Sequence, residues 1–343
     1  MASVTAKEIA KELGISQAAV SLALNDKPGV SEETRRLVRE TAVQKGMPLP
    51  TVRPYNESGK RICFLIFVNH LVSISENTTF SNFLLKGAAD RAQVLGHSIT
   101  VHYINADEVP ISVQLGKLLP DTDGVMLLGT DITEESRKEL SAVFESWPNL
   151  PIVVMDSISK IANADYICND NFEGARIATE YLIERGCRRI GYFRSAFRNQ
   201  NFEDRQAGVL AALKASGLDL ACSMDTDVSF DGAYNRTLEF LRKTKDLPDG
   251  VFAENDVVAA AAIRACNACG IKVPEQLSII GFDDIPICEL CSPALTTVHS
   301  HKEQLGQIGV GVLHMHMVGT PPSETGSMRV YLSTKLHIRD SVK

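Results

Sequence analysis

The stretch Thr5-Ala6-Lys7-Glu8-Ile9-Ala10-Lys11-Glu12-Leu13-Gly14-Ile15-Ser16-Gln17-Ala18-Ala19-Val20-Ser21-Leu22-Ala23-Leu24 holds two short helical patterns around one tight turn. Thr5 and Glu8 have the spacing of a capping box, in which hydroxyl and carboxylate each satisfy an orphan helix N–H. Ile9, Ala10 and Leu13 then recur at helical spacing, and the pattern ends at Gly14. Ser16 restarts a helix that turns Ala19, Val20, Ala23 and Leu24 inward, and Asn25 with Pro28-Gly29 closes it. Ser31 caps a third helix, Glu32 to about Lys45, stopped by Gly46. Helices joined this way predict a helix-turn-helix unit. Its second helix lies in a DNA major groove with its N-terminal residues toward base edges. Ser16, Gln17, Ala18, Ser21, Leu22 and Asn25 fall on the outward face of that helix. The competing reading is a solvated helical cap, which leaves Leu22 without an apolar partner.

Charge is distributed to match. The 343 residues carry 35 Lys+Arg and 42 Asp+Glu, a net of −7. Residues 1–60 hold nine basic and seven acidic side chains, net +2, which leaves 26 and 35, net −9, for the remainder. A weakly basic head on an acidic body is compatible with a nucleic-acid partner that the total would seem to exclude. With 44% hydrophobic and 22% charged residues the chain reads as globular. No apolar run reaches a membrane span and residues 1–30 lack a secretory pattern, so a cytoplasmic chain with no membrane association is expected.

From Arg61 onward, apolar runs at Arg61–Val68, Ile99–Tyr103, Gly124–Leu128, Ile152–Met155, Ile190–Phe193, Gly250–Phe252 and Leu277–Ile280 alternate with helical patterns such as 81–95, 172–185, 203–216 and 256–269. Continuous apolar strands alternating with helices predict parallel sheets covered on both faces. The length suggests two doubly wound parallel-sheet subdomains, with ligands at strand carboxyl ends. Asp156, Asn255 and Asp283 each follow an apolar strand, and Arg205 lies on a helix that follows another. A guanidinium fork beside carboxylate acceptors suits a polyhydroxyl ligand, whose hydroxyls both donate and accept. No dinucleotide or P-loop fingerprint and no G-x-S-x-G or H-E-x-x-H motif is present, so a non-enzymatic protein without a cofactor is expected.

These residues also carry a family likeness. Val4-Thr5 through Glu8-Ile9-Ala10, Gly14-Ile15-Ser16, Val20-Ser21, Asn25 and Val30-Ser31-x-x-Thr34-Arg35 resemble the head of the lactose-repressor (LacI) family. Asp123-Gly124-Val125, Pro151–Asp156, Asn169-Asp170-Asn171-x-x-Gly174-Ala175, Arg205-x-x-Gly208, Asn255-Asp256, Val273-Pro274, Gly281-Phe282-Asp283-Asp284 and Pro293-x-Leu295-Thr296-Thr297-Val298 are similar to its periplasmic-binding-protein-like core. The resemblance implies a helix-turn-helix head at 1–46, a linker at 47–60, an N-terminal subdomain of 61–163 with 295–325, and a C-terminal subdomain of 164–294 with 326–343. It implies a homodimeric regulator, most simply a repressor, on double-stranded operator DNA. The positions of Gln17, Ala18 and Leu22 would then read bases, and those of Ser16, Ser21 and Asn25 would touch phosphate, with Thr5 beside them. Gln17 suits adenine and Leu22 a thymine methyl, which predicts an A·T preference there. Arg205, Asn255, Asp283 and Asp156 match effector-ligand positions, with Phe230 as an aromatic platform and Phe80, Thr130 and Asn201 joining them.

A single aromatic beside Thr79 points to a sugar or sugar phosphate; a purine would favour aromatics on both faces. Inducer and corepressor roles stay open, as does a sugar-binding protein with a vestigial head. The linker departs from the family, because Pro48, Pro50 and Pro54 disfavour a continuous hinge helix.

Two metal readings are weighed and set aside. Cys266-x-x-Cys269 and Cys288-x-x-Cys291 have zinc-ribbon spacing, but an intervening strand carries the chain between opposite sheet edges. His299-x-His301 and His314-x-His316 diverge if helical and read as surface or interface histidines. No metal is expected.

Overall fold

The computed structural model describes residues 5–24, 29–45, 59–68, 80–158, 160–227, 229–244 and 246–343. The head and the α/β body form separate compact units. In the head, helices α1 (Ala6–Leu13), α2 (Gln17–Leu24) and α3 (Glu32–Gln44) close around Ile9, Ala10, Val20, Ala23, Leu24, Val38 and Ala42. The Thr5 backbone N–H donates to Glu8 Oε2 at 2.7 Å, and Gly14 terminates α1 in the left-handed region at φ 67°. The Ser16 hydroxyl accepts the Ala19 N–H at 3.0 Å and so starts α2.

The body begins with β1 (Arg61–Val68), α4 (Phe80–Leu95), β2 (Ser98–Asn105), α5 (Ile111–Leu118), β3 (Gly124–Leu128), α6 (Glu134–Glu145), β4 (Ile152–Met155) and β5 (Ala164–Asn169). It continues with α7 (Asn171–Glu184), β6 (Ile190–Ser195), α8 (Gln200–Ala215), β7 (Cys222–Thr226), α9 (Phe230–Lys243), β8 (Gly250–Ala253), α10 (Asp256–Ala268) and β9 (Ser278–Asp283). The last elements are α11 (Ile287–Leu290), β10 (Thr296–His299), α12 (Lys302–Val318), β11 (Arg329–Leu332) and β12 (Lys335–His337). Two six-stranded sheets result, ordered β11-β5-β4-β3-β1-β2 and β12-β10-β9-β8-β6-β7. Pairing is parallel throughout the registers from β1 to β11, and antiparallel between β10 and β12. Strand order reverses beside β1/β3 in one sheet and β6/β8 in the other, which opens a crevice at the carboxyl ends of each.

Sheet membership moves the subdomain boundaries. Residues 164–169 pair with β4, so the first crossing follows Asn169 and does not precede residue 164. Thr296–His299 pair with β9, so the second crossing comes after His299, not between 294 and 295. Arg329–Leu332 and Lys335–His337 belong to different sheets, which puts the third crossing between Leu332 and Lys335, not between 325 and 326. β5 is absent from the apolar runs read in the sequence because it contains Asp165, whose carboxylate is buried, accepting the Met328 N–H at 2.7 Å and lying 2.8 Å from His316 Nε2. His316 is accordingly a buried side chain, where the sequence predicts a surface or interface histidine, and its Nδ1 meets Thr320 O at 2.9 Å.

Candidate functional site

The carboxyl ends of the two sheets line one cleft with Phe80, Ser81, Leu128, Thr130, Asp156, Asn199, Asn201, Phe202, Arg205, Asn255 and Asp283. Of the expected ligand residues, Phe80, Thr130, Asp156, Asn201, Arg205, Asn255 and Asp283 therefore come together. Phe230 does not line this cleft. It starts α9, packs against the core of the second sheet and carries the Arg264 guanidinium 5.6 Å from its ring centroid. Phe80 and Phe202 are the aromatic residues of the cleft.

Backbone conformation aims the aspartates. Asp156 at the end of β4 has φ 55° and Asp283 at the end of β9 has φ 112°, in the left-handed region. Asp156 Oδ2 accepts Thr130 Oγ1–H at 3.0 Å and Asn201 Nδ2–H at 3.0 Å, and its carbonyl takes a second Asn201 bond at 2.8 Å. Thr130 follows β3 while Asn201 rides on α8, so this hydrogen-bonded knot joins the two subdomains.

Arg205 is held from several sides. Its Nε donates to Asn171 Oδ1 at 2.8 Å, Nη1 to Glu254 O at 2.5 Å and Nη2 to Asp283 Oδ1 at 3.0 Å. Its guanidinium carbon lies 3.7 Å from the Phe282 ring centroid. Gly208, one turn on, permits this placement. A Cβ there would stand 2.2 Å from Phe172 O, so only glycine lets α8 approach α7 closely enough to bring Arg205 onto Asn171. The sequence suggested a free guanidinium fork for ligand, whereas the structure spends much of it on protein.

Asn255 accepts the Val258 N–H at 2.9 Å, capping α10 from the cleft wall. The next residue, Asp256, is buried and accepts from Thr297 Oγ1 at 2.5 Å and Ile285 N–H at 2.9 Å, which ties α10 to the ends of β9 and β10. Behind the cleft, buried Glu254 accepts from Tyr192 OH, Ser195 N–H and Arg198 Nη1, each at 2.5 Å. This knot anchors the loop that carries Asn199.

The cleft keeps one acceptor and one donor unused. Asp156 Oδ1 and Asn199 Nδ2 are buried and, among the described residues, have no hydrogen-bond partner. Leaving such atoms unmet costs about 1–3 kcal/mol each, a penalty that a ligand hydroxyl relieves. Burial pushes the Asp156 carboxyl up to about 7, with Arg205 pulling it down and the Asp283 charge adding to the rise. Asp283 is also raised by burial, against Arg205 and Lys302. The cavity itself is about 40 Å³.

Sequence reasoning missed Asn199, Ser81, Phe202 and Leu128. Asn199 accepts the Phe202 N–H at 2.9 Å and reads as an ordinary N-cap; its position on the loop after β6 was the available signal. In the head, Thr5, Ser16, Gln17, Ala18 and Ser21 are exposed. Leu22 is half-buried, its Cδ1 3.2 Å from where a Cβ on Gly29 would stand. Asn25, Thr79 and the linker residues 47–58 lie outside the described residues.

The four CxxC cysteines do not converge. Cys288 lies beside Asp256 in the first turn of α10, while Cys266 is ten residues on, about 15 Å along a helix rising 1.5 Å per residue. No helix among the described residues is long and apolar enough to cross a membrane.

Comparison with known proteins follows the same division. Residues 179–342 match the periplasmic binding protein-like domain family. The ribose operon repressor of Escherichia coli (strain K12) is 27% identical over 320 residues, covering 92% of this chain and 94% of that protein. The HTH-type transcriptional repressor PurR of Haemophilus influenzae (strain PittEE) is 28% identical over 346 residues, covering 99% of this chain and 98% of that one. Among solved structures, a transcriptional regulator CelR–cellobiose complex superposes with a TM-score of 0.70 at 25% identity, covering 98% of this chain and 99% of that one. Together these likenesses support a LacI-family transcriptional regulator. As a LacI-family regulator it joins a helix-turn-helix head to a two-subdomain body, and its named relatives are repressors, not enzymes. In this LacI-family chain the knot of Asp156, Thr130 and Asn201 sits where the two halves of the sensor meet.

Proposed function

We propose that this protein is a cytoplasmic homodimeric repressor whose affinity for double-stranded operator DNA is set by a small polyhydroxylated effector, a sugar or sugar phosphate, bound in the cleft. The observation that carries this reading is the pairing of an unmet buried acceptor, Asp156 Oδ1, with an unmet buried donor, Asn199 Nδ2, in one cleft between two sheets. A hydroxyl both donates and accepts, so sugars meet this demand better than apolar ligands. The presence of Phe202 as well as Phe80 removes the aromatic count as an argument against a purine. A sugar hydroxyl that donates to Asp156 Oδ1 and accepts from Asn199 Nδ2 supports the sugar reading, and a ligand panel separates it from a purine.

The mechanism is population shift. Residues from both subdomains bond across the cleft, so an effector that wedges into the Asp156–Asn201–Thr130 knot prefers one subdomain orientation. Only that differential affinity changes the spacing of two heads on a pseudo-palindromic site. In each head Gln17, Ala18 and Leu22 face bases, and Thr5, Ser16, Ser21 and Asn25 face the backbone.

Thermal melting against a panel of pentoses, hexoses, disaccharides, their phosphates and purine bases tests the cleft. A sugar is expected to raise the melting temperature of the wild type but not of Asn199→Ala. A purine base alone raising it, or a shift unchanged in Asn199→Ala, counts against the reading.

A further inference from the structure

A second constellation lies away from the cleft knot, at the end of the second sheet. Asp284 follows β9, His299 closes β10 and His337 closes β12. In the antiparallel β10–β12 register Thr297 faces His337 and His299 faces Lys335, which makes the two histidines diagonal neighbours on one face. His299 Nδ1 is 2.7 Å and His337 Nδ1 2.8 Å from the same atom, Asp284 Oδ2. Arg339 Nη2 holds the other oxygen at 2.8 Å. Among the described residues this is the one group of three His, Cys, Asp or Glu side chains whose ligand atoms lie within 4.8 Å of one another. It opens onto a cavity of about 540 Å³ bordered by Glu289, His301 and Glu303.

We propose that Asp284, His299 and His337 bind a divalent transition-metal cation of the zinc class, through Asp284 Oδ2 and the two Nδ1 atoms, with the remaining positions open to the cavity. Two imidazoles and one carboxylate form a ligand set suited to zinc. Arg339 supplies the outer hydrogen bond that orients the carboxylate. A neutral imidazole that binds the cation through Nδ1 carries its proton on Nε2, so cation binding selects that tautomer in both rings.

The rings stack 19° from parallel with centroids 4.7 Å apart, and one must turn to direct its lone pair at the cation. His337, with 43% of its side chain exposed, is free to do so. The surrounding cations oppose binding of a further positive charge. They are Arg339, 3.7 Å from the partly offsetting Glu289, together with Lys335 and the buried Lys302, whose ammonium is spent on the Asp283, Asp284 and Ser300 carbonyls. The histidine pair set aside on helical spacing thus splits. His299 finds its partner across the sheet, and His301 only meets its ring edge at 5.0 Å. His299 precedes the second crossing between subdomains and His337 follows the third, so a bound cation ties two crossings together.

The test uses tag-free, chelator-stripped full-length protein titrated with Zn²⁺ against a chromogenic chelator, and with Co²⁺ by visible spectroscopy. One Zn²⁺ per chain is expected, bound at least tenfold more weakly by His299→Gln and by His337→Gln and equally well by His102→Gln. The Co²⁺ complex should lack a thiolate charge-transfer band. Failure to take up Zn²⁺, affinity unchanged in the two site variants, or a thiolate band that assigns the metal to cysteines overturns the proposal. His337→Gln lies on an exposed strand edge, so its melting temperature should match the wild type and separate loss of the site from loss of the fold.

Discussion

Replacing Asp156 by Asn changes one atom of the cleft knot and removes one ionisation. The retained amide oxygen can take the place of Oδ2 and accept from Thr130 and Asn201, while the new NH₂ occupies the position of Oδ1, which had no partner among the described residues. The wild-type carboxyl titrates at about 7 in the fold, raised from 3.8 by burial. The unfolded chain therefore releases this proton first, and the fold loses stability as pH rises from about 4 to about 7. At 1.36 kcal/mol per unit, about three units amount to about 4 kcal/mol as an upper bound. Asp256 is also raised by burial, without a contribution from Asp156, and forms a common background.

Urea unfolding of wild type and Asp156→Asn at pH 5, 6, 7 and 8 measures the difference. The variant's stability relative to the wild type should grow by about 2–3 kcal/mol between pH 5 and pH 8, within that bound. Parallel stability–pH curves for the two proteins would refute the claim that Asp156 is held in a buried, poorly paired state.

Three further outcomes are expected. Arg205→Ala strands buried acceptors on Asn171, Asp283 and Glu254, so it should cost about 3–5 kcal/mol in urea unfolding, and the surviving folded protein should lose its effector response. Gly208→Ala forces a Cβ against the Phe172 carbonyl and should destabilise by about 1–3 kcal/mol, read as a lowered melting temperature. Gln17→Ala should weaken binding to a selected operator by about 1–3 kcal/mol and relax preference at the A·T position it faces, with the melting of the body unchanged. Fluorescence anisotropy on paired duplexes reads that last effect.

The sequence was most informative where local pattern and tertiary role coincide. The head follows from Thr5, Glu8, Gly14 and Ser16, whose caps and turn are local events that the structure reproduces. The strand-end aspartates were legible because an apolar strand followed by a polar residue marks a sheet edge in any doubly wound fold. Long-range partnerships were not. β5 contains Asp165, and only its burial against His316 and Met328 turns a polar residue into a strand residue. Asn199 looked like a helix cap and is one through Oδ1, yet its Nδ2 is left unmet in a residue that lines the cleft. Phe230 was placed by likeness alone, and the packing of α9 on the second sheet takes it elsewhere. Asp284, His299 and His337 are separated by up to 53 residues (337 − 284) and meet only through strand pairing.

The central claim is that a ligand in the cleft changes affinity for DNA. It is tested most directly by measuring operator affinity with and without the sugar found by thermal melting, on a duplex selected from random sequence by the full-length protein. Binding should change at least tenfold in the wild type, in either direction, and by less than twofold in Asn199→Ala. A sugar that binds the cleft yet leaves operator affinity unchanged, or a change that persists in Asn199→Ala, would contradict the account.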